Sequence, residues 1–405
     1  MGLLKVEINR MVNMFKRKKM SIFEAVEDRI IRKRFALSPE YIPERLIGRD
    51  KQVRQVASTL NPALSGDKPH NVFIYGKTGV GKTAVTKYVL LELDKEVKKR
   101  EVNVKSVFVN CNQINTTTKI IKRICNVVSP EIEIPSTGIA TSEYYDRLWK
   151  ILTEFGGITI VVLDEIDKLG DDSILYNLSR ARENLDITEG FIGIIGISND
   201  LTYKERMDSR VISSFGSREF VFPPYDANHL QMILKDRVKI GFREGVLEDT
   251  VIPLCSALAA REHGDARKAL MLLEYAGEIA VEKGIEKVRE KEVREAQERL
   301  EMDRIIETVR TLPYHQKLVL QVIVEVGGRE TETNTVYIAY KNLCESKSLK
   351  PLTKIRISNF ISELDMLGLI NAREVYKGRY GHTRIISPNV SKDKIEAVMQ
   401  GNSFS

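Results

Sequence analysis

Three features of the sequence predict an α/β fold in which a doubly wound parallel sheet is followed by an all-helical unit and a C-terminal winged helix-turn-helix. Up to Phe222, short apolar runs alternate with helical segments, as parallel strands covered on both faces require. From Asp226 to about Arg299 the apolar spacing is helical throughout. Beyond Met302, helical segments at Asp303–Thr311, Tyr314–Val326, Thr335–Glu345 and Thr353–Leu367 precede two short strands, Ile370 to Tyr376 and His382 to Ile386. Helices closed by a basic, Gly-containing hairpin are the element order of a winged helix-turn-helix. These signals divide the chain into a basic arm at 1–38, a core at 39–225 with an insertion at about 111–149, a helical unit at 226–301 and a winged-helix unit at 302–405.

At about 150 residues per domain, 405 residues leave room for two or three domains. A charged fraction of 29% and a hydrophobic fraction of 42% are those of a soluble globular protein. The net charge of +7 permits a nucleic-acid partner, although many basic proteins bind none. Cys111, Cys125, Cys255 and Cys344 are scattered and have neither C-x-x-C spacing nor paired His, so they read as reduced thiols. No apolar run approaches the ~20 residues of a membrane span, and no signal-peptide core opens the chain. The expected setting is intracellular and cytoplasmic, without a membrane partner.

In chain order, Lys16-Arg17-Lys18-Lys19 and Arg32-Lys33-Arg34 read as a solvated, partly disordered arm in preference to a dedicated DNA contact. Prolines keep Ser38 to Glu44 extended. Ile47 then stands before a helix running to about Leu64 with Asp50 as its cap; an apolar group here packs either on a nucleotide base or into the core.

Phe73-Ile74-Tyr75 reads as a strand and Ala84 to Leu93 as a helix, and Gly76-Lys77-Thr78-Gly79-Val80-Gly81-Lys82-Thr83 between them has phosphate-loop spacing. Glycines let backbone N–H groups turn around an anion at a helix N-terminus. With ATP or ADP as the nucleotide, Lys82 would reach the β-phosphate and, in ATP, the γ-phosphate, and the Thr83 hydroxyl would ligate Mg²⁺. With Ala84 opening the helix, residues 76–84 are the expected nucleotide cradle.

After a short strand at Ser106 to Asn110, Cys111 to about Trp149 reads as a long polar insertion interrupted by Pro130, Pro135 and Gly138. Its amphipathic stretch Thr118 to Ile124 carries Lys119, Lys122 and Arg123; it is either an ordinary surface helix or one facing a ligand. Ile160-Val161-Val162-Leu163 then delivers Asp164 and Glu165 to the carboxyl edge of a buried strand. Asp164 can hold the Mg²⁺ shell and Glu165 can polarise the attacking water, whereas a helix-capping role would explain only one of the two acids.

Phe191 to Ser198 is a second buried strand, and Asn199 at its tip can orient water or sense the γ-phosphate. Arg210, in Met207-Asp208-Ser209-Arg210, is either a solvated residue or a finger for a neighbouring subunit's ATP. Pro223 and Pro224 end the α/β unit, Asp226 caps the next helix, and Asp265 caps a helix that carries Arg267 in its first turn. A cation there opposes the helix dipole, which hints at a separate use. In the last unit, Thr353 to Leu367 would enter a major groove and the hairpin would reach phosphates or the minor groove. Lys354, Arg356, Arg379, Tyr380 and Arg384 are the candidate DNA contacts, with protein docking the competing role for such a module.

Together, Tyr41-Ile-Pro-Glu, the Gly76–Thr83 loop, Leu163-Asp-Glu-Ile-Asp167, Ile197-Ser-Asn199-Asp, Phe222-Pro-Pro-Tyr225, Gly264-Asp-Ala-Arg267 and Gly378-Arg-Tyr-Gly381 resemble the archaeal replication initiators related to the origin recognition complex and its helicase-loading partner. These are AAA+ ATPases, and the likeness runs from about Leu37 to the end of the chain. The resemblance implies that Asn199 and Arg267 act as the first and second nucleotide sensors and that Tyr225 and Arg237 line the nucleotide site. It also implies a finger-type role for Arg210, although Met-Asp-Ser-Arg departs from the more usual Leu-Asp-Pro-Arg. By the same likeness the insertion would touch DNA and the winged helix would bind origin repeats. The implied activity is slow ATP hydrolysis by an origin-binding initiator that helps bring the replicative MCM helicase onto double-stranded DNA in the nucleoid, with other initiator subunits as further partners. A clamp-loader-like remodeller and an ATP-clamped transcriptional regulator are the alternatives.

Overall fold

In a computed structural model, residues 29–216, 218–326, 330–376, 382–390 and 395 are described, and the chain divides into two compact units, Met1–Val293 and Arg294–Ser405. The first unit is built on a five-stranded parallel sheet of order β2-β3-β4-β1-β5, with β1 at Val72–Tyr75, β2 at Val104–Asn110, β3 at Ile158–Asp164, β4 at Phe191–Ser198 and β5 at Arg218–Val221. All seven residues of β3 are buried, because helices cover both sheet faces and the strand needs no polar alternation.

Period-two geometry sends alternate strand residues to opposite layers. Ile158, Ile160 and Val162 pack with helices α1 (Asp50–Leu60) and α2 (Lys82–Arg100). Val161 and Leu163 pack with α3 (Thr117–Val128), α4 (Thr141–Phe155), α5 (Ser173–Arg180) and α6 (Ser209–Phe215).

Four local expectations are corrected. The segment from Cys111 to Trp149 is no polar appendage: Ile120, Ile121, Ile124, Cys125 and Val128 of α3, with Tyr144 and Leu148 of α4, are core residues. Their spacing forms one apolar stripe, and the polar composition comes from the outer helix faces and the linker between them. Asp50 is not the cap of α1; Arg49 holds that position, Asp50 lies in the first turn, and a short 3-10 turn at Asn61–Ser65 follows. Helix α2 overruns Ala84 to Leu93 at both ends. It starts on the phosphate loop itself, and its exposed last turns carry pairs such as Lys98 with Asp94.

The end of the basic arm is anchored on the fold through its apolar residues, although Arg32, Lys33 and Arg34 are exposed as expected. Ile30, Ile31, Ala36 and Leu37 are buried. Arg32 Nε donates to the Ile240 carbonyl (3.1 Å) at the C-terminal end of α7 (Ala227–Gly241), where a cation meets the negative end of the helix dipole. Arg34 pairs with Glu278 on α9 (Ala266–Glu282). Between them lies α8 (Val251–Arg261). As read, Asp226 caps α7 by accepting from His229 N (2.7 Å), and Asp265 caps α9 by accepting from Arg267 N (2.8 Å).

Helix α10 (Glu290–Thr311) runs unbroken through the expected 301/302 boundary, because no breaker interrupts it. In the second unit, α11 (Tyr314–Val326), α12 (Thr333–Ser346) and α13 (Lys354–Met366) enclose a core around Val319, Ile323, Tyr340, Ile357, Ile361 and Leu364. Strands β7 (Ile370–Tyr376) and β8 (His382–Pro388) pair antiparallel, and β6 (Thr331–Glu332) adds a third strand too short to be legible in the sequence. All four cysteines are free and buried. Among the described residues, no helix is long and apolar enough to cross a membrane.

Candidate nucleotide site and nucleic-acid interface

The strand order places the functional groups on one sheet edge. β4 lies between β3 and β1, so Asp164 at the tip of β3 and Asn199 just past β4 flank the loop that leaves β1. Lys82 is buried, and its Nζ donates to the Gly76 carbonyl (2.7 Å), the Lys77 carbonyl (2.8 Å) and Asn199 Oδ1 (2.8 Å). Burial pulls the Lys82 ammonium down to about 8, with the Asp164 charge opposing and the Arg267 guanidinium adding to the fall.

Thr83 Oγ1 donates to Asp164 Oδ2 (2.9 Å), and the Glu165 N–H donates to Asp164 Oδ1 (3.1 Å). Burial raises the Asp164 carboxyl despite these bonds. Glu165 has φ +53°, a left-handed backbone that costs a non-glycine residue energy and is characteristic of functional positions. Gly79, at φ +75°, has no room for a side chain: a Cβ would stand 1.7 Å from Asp265 Oδ1. The Ala266 N–H donates to the Gly79 carbonyl (3.1 Å), so the loop is seated against the first turn of α9.

These groups border a cavity of about 790 Å³. It is lined by Gly79, Gly81, Lys82, Thr83, Ala84, Asp164, Glu165, Asn199 and Arg267, and also by Tyr41, Pro43, Leu46, Ile47, Tyr225, Ile233 and Arg237. Arg237 is buried, lies over the Tyr41 ring (4.3 Å) and donates from Nη2 to the Tyr41 carbonyl (3.3 Å). Its Nη1 is buried without a partner. An orphaned guanidinium N–H on a cavity wall fits an acceptor-rich, anionic ligand. The metal set is one hydroxyl and one carboxylate, and no cluster of three or more metal-binding side chains occurs among the described residues. That suits Mg²⁺, which keeps waters and takes phosphate oxygens rather than an all-protein cage.

Gly76, Lys77, Thr78 and Val80 form the body of the loop and not the cavity wall. Arg210 is also outside it: the side chain is 79% exposed and pairs with Asp208 (2.8 Å), whose carboxyl it holds down at about 2. Arg123, a candidate DNA contact, is exposed and lines the nucleotide cavity. Lys87 was missed, although it lies one turn beyond Thr83 on α2; it lines the cavity, and its charge opposes the rise of Asp164.

On the candidate nucleic-acid surfaces, Lys119 is exposed and Lys122 bonds Ser136. At the start of α13, Lys354 Nζ donates to Asn334 Oδ1 (2.9 Å) and Arg356 lies 4.9 Å from the Phe360 ring. Arg384 clips the hairpin to α13, donating from Nη1 to Ser362 Oγ (2.6 Å) and reaching Glu374 at 3.4 Å. Arg379 and Tyr380 lie outside the described residues.

Three family models match in order: the AAA ATPase domain over residues 45–185, the Cdc6 AAA+ ATPase-type lid domain over 231–298, and the C-terminal winged helix domain of CDC6 over 307–398. The ORC1-type DNA replication protein of Thermococcus kodakarensis is 48% identical over 382 residues, covering 92% of this chain and 91% of the relative. The chain belongs to the ORC1/Cdc6 family of AAA+ replication initiators. Among solved structures, the Aeropyrum pernix ORC1 protein in complex with DNA superposes with a TM-score of 0.80 at 43% identity, covering 93% of this chain and 98% of that one. Cdc6p from Pyrobaculum aerophilum, at 22% identity and a TM-score of 0.59, shares the fold. The family therefore favours an initiator over a clamp-loader-like remodeller or a transcriptional regulator, and the cavity is lined jointly by residues of the AAA ATPase domain and of the lid domain.

Proposed function

We propose that this initiator binds ATP and Mg²⁺ in the cavity, hydrolyses ATP slowly, binds origin double-stranded DNA through its winged helix, and helps recruit the replicative MCM helicase. The observation that carries the nucleotide reading is the convergence of Lys82, Asn199, Thr83 and Asp164 within direct hydrogen bonds on one sheet edge. ATP would supply the phosphoanhydride to be cleaved, and Mg²⁺ held by Thr83 and Asp164 would offset its charge. Lys82 exchanges its loop carbonyls for phosphate oxygens, Thr83 and Asp164 hold the metal, and Asn199 orients water. Glu165 accepts the water proton at its carboxylate. Arg267 senses the phosphates from α9, whereas Arg210, exposed beyond the cavity, serves a neighbouring initiator subunit once released from Asp208.

Arg237→Met tests the cavity wall. Removing a buried guanidinium with an unpaired N–H is expected to leave the Tm of the nucleotide-free protein unchanged or higher. The same change is expected to lower ADP affinity by about tenfold, the worth of roughly one charged hydrogen bond. Thermal unfolding with and without ADP reads both; an unaltered ADP-induced rise in Tm removes Arg237 from the site.

For DNA, a relative whose structure was solved in complex with DNA supports the reading, as does the winged-helix unit. Arg379→Ala is expected to weaken binding and reduce the salt slope by about one phosphate-equivalent. Lys354→Ala or Arg356→Ala is expected to relax sequence preference by ~1–3 kcal/mol at one base pair. Titration of origin and scrambled duplexes across a salt series separates these effects; no change in any variant assigns the unit to protein docking. Helicase recruitment is tested by ATP-dependent retention of MCM on origin DNA, and retention independent of the initiator rejects it.

A further inference from the structure

We infer that Arg49 is a positioning residue for the phosphate loop: it holds the Val80 carbonyl of the loop and the Pro223 carbonyl of the hinge at one fixed spacing, and so turns the loop amides toward the nucleotide phosphates. The inference rests on the nucleotide reading above. Arg49 lies outside the phosphate-loop motif, before α1, and does not line the cavity.

The geometry is that of a clamp. Arg49 is only 3% exposed; its Nε donates to the Val80 carbonyl (2.9 Å) and its Nη2 to the Pro223 carbonyl (2.6 Å). Its guanidinium carbon stands 3.8 Å from the centre of the Tyr225 ring. The phenol oxygen of Tyr225 in turn closes over the loop, since a Cβ at Gly81 would lie 2.7 Å from it. No carboxylate among the described residues pairs with Arg49, and burial lowers its affinity for its own proton. A desolvated cation held by carbonyls and the Tyr225 side chain, without a carboxylate, contributes poorly to stability, so a ligand-directed use accounts for it better than fold maintenance does.

The chemical consequence follows from one peptide plane. The Val80 carbonyl and the Gly81 N–H belong to the same trans peptide and point in opposite directions. Holding that carbonyl behind the loop directs the Gly81 N–H away from Arg49. It also keeps a carbonyl oxygen, which would repel phosphate, out of the anion cradle. The second bond ties this setting to Pro223, at the junction of the sheet unit and α7, so hinge geometry and loop geometry are fixed by one side chain. Only guanidinium has the planar fork that makes two divergent bonds while stacking on a ring; lysine keeps the charge and loses the fork.

The test compares ADP with AMP in Arg49→Gln and Arg49→Lys, by competition against a fluorescent nucleotide. The loop's extra contribution to ADP is the β-phosphate, so both variants are expected to lose ADP affinity by about tenfold or more while AMP affinity stays within about twofold. Unchanged ADP binding overturns the inference, and so does a parallel fall for ADP and AMP, which would mean general collapse of the cavity. Should Arg49→Gln fail to fold, Arg49→Lys decides alone by the same criterion. Lys82→Ala is measured beside them: retention of its ADP preference rejects the nucleotide reading itself, whereas its loss with Arg49 variants unaffected rejects only the clamp.

Discussion

Replacing Lys82 with Ala is expected to lower affinity for ATP and ADP by about a hundredfold or more, because each charged hydrogen bond to phosphate is worth roughly 1.5–3 kcal/mol and Lys82 makes several. In the free protein its three acceptors are the Gly76 and Lys77 carbonyls and Asn199 Oδ1, so the ammonium already sits at the mouth of the cradle. The same burial sets a pH dependence. With its ammonium pulled down to about 8, Lys82 is charged below that pH and neutral above it in the free protein. A polyphosphate binds the charged form, so binding above that pH requires uptake of a proton. ADP affinity is therefore expected to be flat below the transition and to fall by up to about tenfold per pH unit above it. Calorimetric titration of ADP in buffers of different ionisation enthalpy reads the proton directly. Lys82→Arg, charged throughout, is expected to lose this dependence; a wild-type affinity that is flat across the transition contradicts the assignment.

Glu165→Gln is expected to leave ATP affinity within about twofold and to cut hydrolysis by about 10²–10⁴-fold, the usual contribution of a general base. The amide keeps the shape of the side chain and a hydrogen-bonding oxygen, but it cannot hold the proton of the attacking water. The left-handed backbone at Glu165 follows directly on Asp164, whose Oδ1 accepts the Glu165 N–H. Two adjacent acids thus line one cavity: Asp164 is bonded to Thr83, and accepting the water proton is the task proposed for Glu165. Single-turnover hydrolysis alongside equilibrium binding is the measurement. Equal losses in both would mean that Glu165 holds nucleotide rather than water, and undiminished turnover would place the base elsewhere.

What the sequence determined by itself is what local chemistry dictates. Residues 72–100 adopt a strand–loop–helix because glycine spacing and the following helix are properties of neighbouring residues, and Asp226 and Asp265 cap α7 and α9 for the same reason. The buried run ending in Asp164 and Glu165 was legible because a strand covered on both faces needs no partner's identity to be recognised. Tertiary structure decided the partners that lie far apart in sequence. It folded Ile30, Ile31 and Leu37 of a basic arm against the helices after the hinge, turned the stripe of α3 into core, and brought Arg123 to the nucleotide cavity. It also laid Arg237 on Tyr41, 196 positions away, and joined Arg49 to Pro223 across 174. A guanidinium in a sequence carries no mark of its acceptor, since charge reads the same whether it meets solvent, a carbonyl, a ring or a phosphate. Only packing, by removing water and fixing distance, chooses among them.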